Sequence, residues 1–274
     1  MTPSFSMACL TALNMTPPQL LRVAARTGCA SVGIRLLPAA PGSIAYPLMD
    51  DRPLFDETLA AMADTGLSVF DLEIIRLDAR FDLGRYGPFF EIGQRLGAKA
   101  ILVAGDDPQR SRLIENFARL CEAAAPYGLR CDLEFMPWTA VKDLVAAKEV
   151  VGQARCANAG VLIDALHFAR SRSRLEDLDD LPREWLHYAQ LCDAPREIPA
   201  DDAGLIYTAR CERLLPGEGG IDLAALFARL PADLPISLEI PNDRRAPLIG
   251  AEAWTREVMA SARGFFAGLG RNRT

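Results

Sequence analysis

Short apolar runs alternate along this chain with longer stretches whose apolar positions recur every three or four residues. These are the patterns of buried strands and amphipathic helices. Eight runs are predicted as strands: FSMACL (5–10), CASVGIRL (29–36), LSVFDLEII (67–75), AKAILVAG (98–105), LRCDLEF (129–135), AGVLIDAL (159–166), REWLHYAQLCD (183–193) and PISLEIP (235–241). Helices are predicted at 16–28, 52–66, 86–97, 108–128, 140–154, 221–230 and 253–269. Thr16 and Pro17 mark the start of the first, and Gly28 and Gly66 end the first two. Strands mostly about 25 to 35 residues apart with helices between them read as βα units. Eight such units in 274 residues predict a (β/α)₈ TIM barrel, which needs roughly 250. The weakest stretch is 168–184, where only a short polar pattern around LEDLDDL stands for a helix. A doubly wound open sheet is the alternative. Residues 194–220 read as a long functional loop. No Pro-, Gly- or Ser-rich linker divides the chain, so residues 1–274 are expected to form one barrel domain.

Composition narrows the function classes. Half the residues are apolar, 24% are charged and the net charge is -6. No basic stripe is present, so no nucleic-acid partner is expected. No run approaches 18 apolar residues, and the N-terminus lacks the basic head and apolar run of a signal peptide. The expectation is a cytoplasmic protein without a membrane span. The seven cysteines form no CxxC pair and are expected to be reduced and mostly buried. No phosphate loop or dinucleotide fingerprint occurs.

Carboxylates at the C-terminal ends of buried strands need a reason, because an unpaired buried charge is expensive. Glu134 closes LRCDLEF, Asp164 closes VLID and Glu239 sits in ISLEIP; Gln190 lies in HYAQLCD. In a barrel these ends build the site. Three carboxylates and an amide converging on one point suit a divalent ion, Mn²⁺ or Mg²⁺ by preference, with Co²⁺ or Zn²⁺ admissible. Each residue also has a plainer reading as a cap, a turn or half of an ion pair. His167 stands three residues after Asp164, beside the mouth. The only other histidine, His187, has the opposite strand parity from Gln190 and is expected to point outward. Arg35 and Glu73 end the second and third strands and are candidate substrate contacts. Arg210 and Arg213 precede LLPGEG and would bind substrate oxygens or acidic neighbours, with Asp193 placed to orient Arg213. Phe135, Trp138 and Phe168 either wall the pocket or pack beneath its loops.

The segments LEFMPW, VLIDALHFAR, YAQLCDA, RLLPGEG and SLEIP resemble the xylose-isomerase-like superfamily of sugar isomerases and epimerases. That superfamily also holds metal-dependent 3-dehydroshikimate dehydratases and abasic-site endonucleases. The resemblance implies metal ligation by Glu134, Asp164, Gln190 and Glu239, with His167 and Arg213 at the substrate. Gln190 departs from the histidine usual on the seventh strand. The resemblance implies an isomerase or epimerase acting on a small sugar or polyhydroxy ketone through an enediolate, with Glu134 and Glu239 moving the proton. A dehydratase of a cyclic keto-acid and a non-catalytic sugar-binding barrel are the alternatives. Two histidines are too few for the trinuclear zinc site of an endonuclease. Relatives are commonly oligomers, so a homo-oligomer is admissible.

Overall fold

The computed structural model describes residues 3–271. Eight parallel strands close into a barrel in the order of the sequence, the first pairing with the last. The first half carries β1 (Phe5–Met7), α1 (Pro17–Thr27), β2 (Ser31–Arg35), α2 (Arg52–Thr65), β3 (Ser68–Leu77), α3 (Gly87–Arg95), β4 (Ala100–Gly105) and α4 (Arg110–Ala124). The second carries β5 (Arg130–Glu134), α5 (Leu144–Ala154), β6 (Ala159–Asp164), α6 (Ala165–Arg170), β7 (Ala189–Leu191), α7 (Asp202–Cys211), α8 (Leu223–Arg229), β8 (Ile236–Leu238), α9 (Arg245–Ile249) and α10 (Ala251–Arg271).

The helices form where the 3.6 period and the end signals agree. Gln19 Oε1 accepts the Thr16 N–H at 2.9 Å at the start of α1, and Gly28 ends it with φ 81°. Only glycine takes that left-handed conformation without strain. Asp51 and Asp143 cap α2 and α5, each accepting an N–H of the first turn at 2.9 Å. Outward-facing strand residues such as Val32, Leu133, Val161 and Leu191 are fully buried against this helical layer. Each contributes about 1.5–3 kcal/mol relative to exposure. The last helix closes the seam. Trp254 is fully buried on α10 and donates from Nε1 to Ile240 O at 2.9 Å, and Phe266 packs on Phe5 and Phe227.

Several sequence expectations are corrected. The seventh strand is three residues long rather than eleven, because residues 183–185 form a turn of 3₁₀ helix. Parity counted from Gln190 therefore does not reach His187. Its Nδ1 lies 2.7 Å from Asp132 Oδ1, so the side chain points to the base of the barrel, not outward to a helix. The long loop at 194–220 contains α7, begun by Asp201, whose Oδ1 accepts the Gly204 N–H at 2.8 Å. LEDLDDL forms only a short 3₁₀ turn at Leu175–Leu178. Among the described residues no helix is long and apolar enough to cross a membrane. The seven cysteines are unpaired and five are buried.

Candidate metal centre and substrate pocket

Glu134 is the last residue of β5 and Asp164 the last of β6, so both carboxylates reach the mouth of the barrel. Asp164 also begins α6: its Oδ1 accepts the His167 N–H at 2.9 Å. That cap fixes the first turn of α6 and brings the His167 ring back over the strand ends. Ligand atoms of Glu134, Asp164 and His167 all lie within 4.8 Å of one another, and all three residues are buried. This triad could coordinate a divalent metal. Polar atoms left over at the same place fit that use. Glu134 Oε1, His167 Nδ1 and both amide atoms of Gln190 are buried without a hydrogen-bond partner among the described residues. Gln190 pairs in register with Asp164 on one side and Ser237 on the other, so it stands beside the triad.

One buried cation organises the acids. Arg213 is 1% exposed. It donates to Asp164 Oδ2 at 2.6 Å, lies 2.7 Å from Glu239 Oε2 and donates to Ala209 O at 2.8 Å. Burial opposes ionisation of Asp164, but the Arg213 and His167 contacts outweigh it and hold this carboxyl below its usual range. Burial and the charges of Glu239 and Asp164 push Glu134 well up. Burial, with Glu73 and Asp164 adding, raises Glu239 to about 7 despite Arg213. Burial lowers His167 to about 4, so its imidazole is neutral at physiological pH.

Above the acids lies a cavity of about 630 Å³. Arg35 and Glu73 both line it and hold each other in a buried ion pair through Glu73 Oε2. Leu10, Met136 and Trp138 make an apolar wall. Trp138 meets the His167 ring edge-on at 5.1 Å between centroids. Phe135 and Phe168 instead belong to the core packing. A cationic corner stands opposite. Arg76 pairs with Asp106 at 2.9 Å, while Arg210, on the last turn of α7, has no carboxylate partner among the described residues. Burial and then the charges of Arg76 and Arg35 lower the Arg210 pKa. Arg35 and Arg76 each have a carboxylate partner, so Arg210 is the guanidinium of the three left to take an anion.

The structure brings together Glu134, Asp164, His167, Arg213 and Glu239, places Gln190 beside them, and sets Arg35 and Glu73 on the cavity wall. Asp193 does not orient Arg213. Its carboxylate accepts four backbone N–H groups, from Ala194, Gly217, Gly219 and Ile221 at 2.8–3.1 Å, and pins the PGEG turn. Sequence reasoning did not single out Arg76, nor the two buried aspartates Asp71 and Asp132. A signal for the aspartates exists, since the tripeptide Asp-Leu-Glu occurs in both β3 and β5 and each glutamate reaches the site.

The profile of the xylose isomerase-like TIM-barrel family matches residues 21–264. A 3-dehydroshikimate dehydratase of Pseudomonas aeruginosa is 32% identical over 169 residues, 58% of this chain and 26% of that protein. An inosose isomerase of Bacillus subtilis is 27% identical over 119 residues, 43% of this chain and 41% of that protein. The chain thus spans well under half the length of either relative. A solved fusion of a xylose isomerase-like TIM barrel with a 4-hydroxyphenylpyruvate dioxygenase is similar with a TM-score of 0.76 at 25% identity, covering 95% of this chain and 42% of that one.

Proposed function

Since the chain belongs to the xylose isomerase-like TIM-barrel family, we propose that it is a divalent-metal-dependent dehydratase of a cyclic polyhydroxy keto-acid, with 3-dehydroshikimate as the first candidate. The observation that carries this reading is Arg210, an unpaired guanidinium in the pocket beside Arg76 and Arg35. A neutral sugar leaves Arg210 without a counter-charge, whereas a substrate carboxylate makes charge-assisted hydrogen bonds there. The dehydratase of P. aeruginosa points the same way.

In this reading Glu134, Asp164, Gln190 and Glu239 hold the metal, and His167 is left free to move a proton. A bound divalent ion supplies electrophilic polarisation of the substrate carbonyl. Arg213 holds Asp164 ionised and, 2.7 Å from Glu239 Oε2, keeps both carboxyl groups aimed at the mouth. Arg210 takes the carboxylate, the Arg35–Glu73 pair takes ring hydroxyls, and Trp138 covers the His167 ring and excludes water. Neutral His167 accepts the proton from the carbon next to the carbonyl. The resulting imidazolium, a strong acid in its buried setting, gives that proton to the departing β-hydroxyl. One C–H and one C–O bond break, a C=C bond forms and water leaves, with no net proton taken up.

The inosose isomerase relative supports a second reading on the same residues, an isomerase that returns the proton to carbon. Incubation with 3-dehydroshikimate and with inososes in D₂O separates the two. The dehydratase reading expects loss of one water from the keto-acid. Deuterium entering a recovered or isomerised inosose, with the keto-acid untouched, overturns it.

A further inference from the structure

The strand β1 stops short of the site. Its pairing with β8 ends at Met7 and Leu238. The Ile236 N–H donates to Ser4 O at 2.9 Å, and every second residue of a parallel strand repeats that bond on the same side. By this repeat the Ile240 N–H is due at Ala8 O. That carbonyl is already taken: it accepts the Thr11 N–H at 3.2 Å and opens a 3₁₀ turn over Cys9–Ala12. Ile240 is fully buried, and a buried N–H needs a partner.

Thr11 supplies the missing partner from its side chain. Its Oγ1 accepts the Ile240 N–H at 2.8 Å and donates to Leu238 O at 2.7 Å. Those two groups belong to the two peptide units on either side of Glu239, so one hydroxyl fixes the backbone before and after that residue. Thr11 is buried and lines the cavity. Its single proton is committed to Leu238 O, which leaves it no donor for a substrate.

Glu239 is therefore held at both ends. Arg213 lies 2.7 Å from Oε2, and Thr11 holds the main chain from which the side chain springs. A carboxylate several rotatable bonds from its backbone keeps one direction only when both ends are fixed. We propose that Thr11 is a positioning residue of the metal centre, its hydroxyl setting the backbone from which Glu239 reaches the ion. The inference rests on the reading of Glu239 as a metal ligand.

The test is Mn²⁺ binding to the full chain after stripping with EDTA, followed by loss of the free-ion EPR signal at a temperature where every variant is folded. Thr11→Val keeps the side-chain shape and removes the hydroxyl. It is expected to raise the dissociation constant about tenfold or more, as losing a group that orients a ligand does. Thr11→Ser keeps the hydroxyl and is expected to bind as the parent does. Thr58, fully buried on α2 with its hydroxyl on Leu54 O at 2.7 Å, is the structural control: Thr58→Val is expected to lower the unfolding midpoint and leave the dissociation constant alone. Should Thr11→Val not fold, Thr11→Cys, whose thiol is only a weak donor and acceptor, takes its place in the same comparisons. No Mn²⁺ binding to the parent, or unchanged affinity in Glu239→Gln, overturns the reading of Glu239 and the inference with it. Weakened binding in Glu239→Gln beside parent-like binding in Thr11→Val overturns the inference alone. So does an equal loss of affinity in Thr11→Ser or Thr58→Val.

Discussion

At the scale of residues, the proposed function divides the site between groups that hold an ion and groups that move a proton or grip substrate. His167 sits on that division, within ligand distance of Glu134 and Asp164 yet carrying a neutral imidazole. His167→Gln is expected to retain the metal and lower kcat by about 10²–10⁴, the usual contribution of a positioned acid or base. Metal analysis beside turnover checks this, and loss of the ion would place the imidazole among the ligands instead. Arg210→Met is expected to raise KM for a keto-acid by roughly 10–100-fold, the effect of one hydrogen bond to a charged group. Binding of an uncharged cyclic polyol should change little. The gathering of the acids at the mouth was legible in the chain. Glu134, Asp164 and Glu239 stood out because charges do not close buried strands without a partner or an ion. Asp71 and Asp132 did not stand out, since inward aspartates in mid-strand carry no local mark beyond the repeated Asp-Leu-Glu.

The elements show where sequence signals weaken. The eight strands and most helices were readable from period and from caps such as Asp51, Gly28 and Gly66. The short helix α7 was not, because DAGLIYTARC has only a faint apolar stripe and its cap, Asp201, lies in a polar run. That helix carries Arg210 to the pocket, and the turn after it is held by Asp193. Asp193→Ala should remove a charged acceptor from four amides and leave the strands intact. Hydrogen exchange at Gly217 and Gly219 is then expected to speed up at least about tenfold, as each loses a bond of about 1.5–3 kcal/mol. Unchanged exchange there would show that the turn holds itself. His187 failed for a different reason: the strand begins at Ala189, so its parity rule never applied two residues upstream.

At the scale of the whole molecule, a closed parallel barrel gathers residues from β2, β3, β5, β6, β7 and β8 into one mouth, from positions far apart in the chain. Gathering that many charges gives the metal-free chain a distinctive pH response. His167 titrates at about 4 when folded against an ordinary 6.5, so the unfolded chain binds the extra proton and stability rises with pH between those values. Glu239 titrates at about 7 against 4.5, so the folded chain binds the extra proton and stability falls as pH rises through that window. The two slopes oppose, each on the order of 1 kcal/mol per pH unit. Relative to the metal-free parent, His167→Gln should therefore tilt stability downward with rising pH between about 4 and 6.5, and Glu239→Gln should tilt it upward between about 4.5 and 7. Denaturant unfolding across that range reads both, and identical slopes in the two variants would refute the assignment. The central claim is tested most directly by titrating the stripped chain with Mn²⁺ while following loss of water from 3-dehydroshikimate. Turnover is expected to rise to a plateau near one equivalent of metal and to be absent in Glu134→Gln. Turnover at full rate in the stripped chain, or no dehydration at any metal concentration, would contradict it.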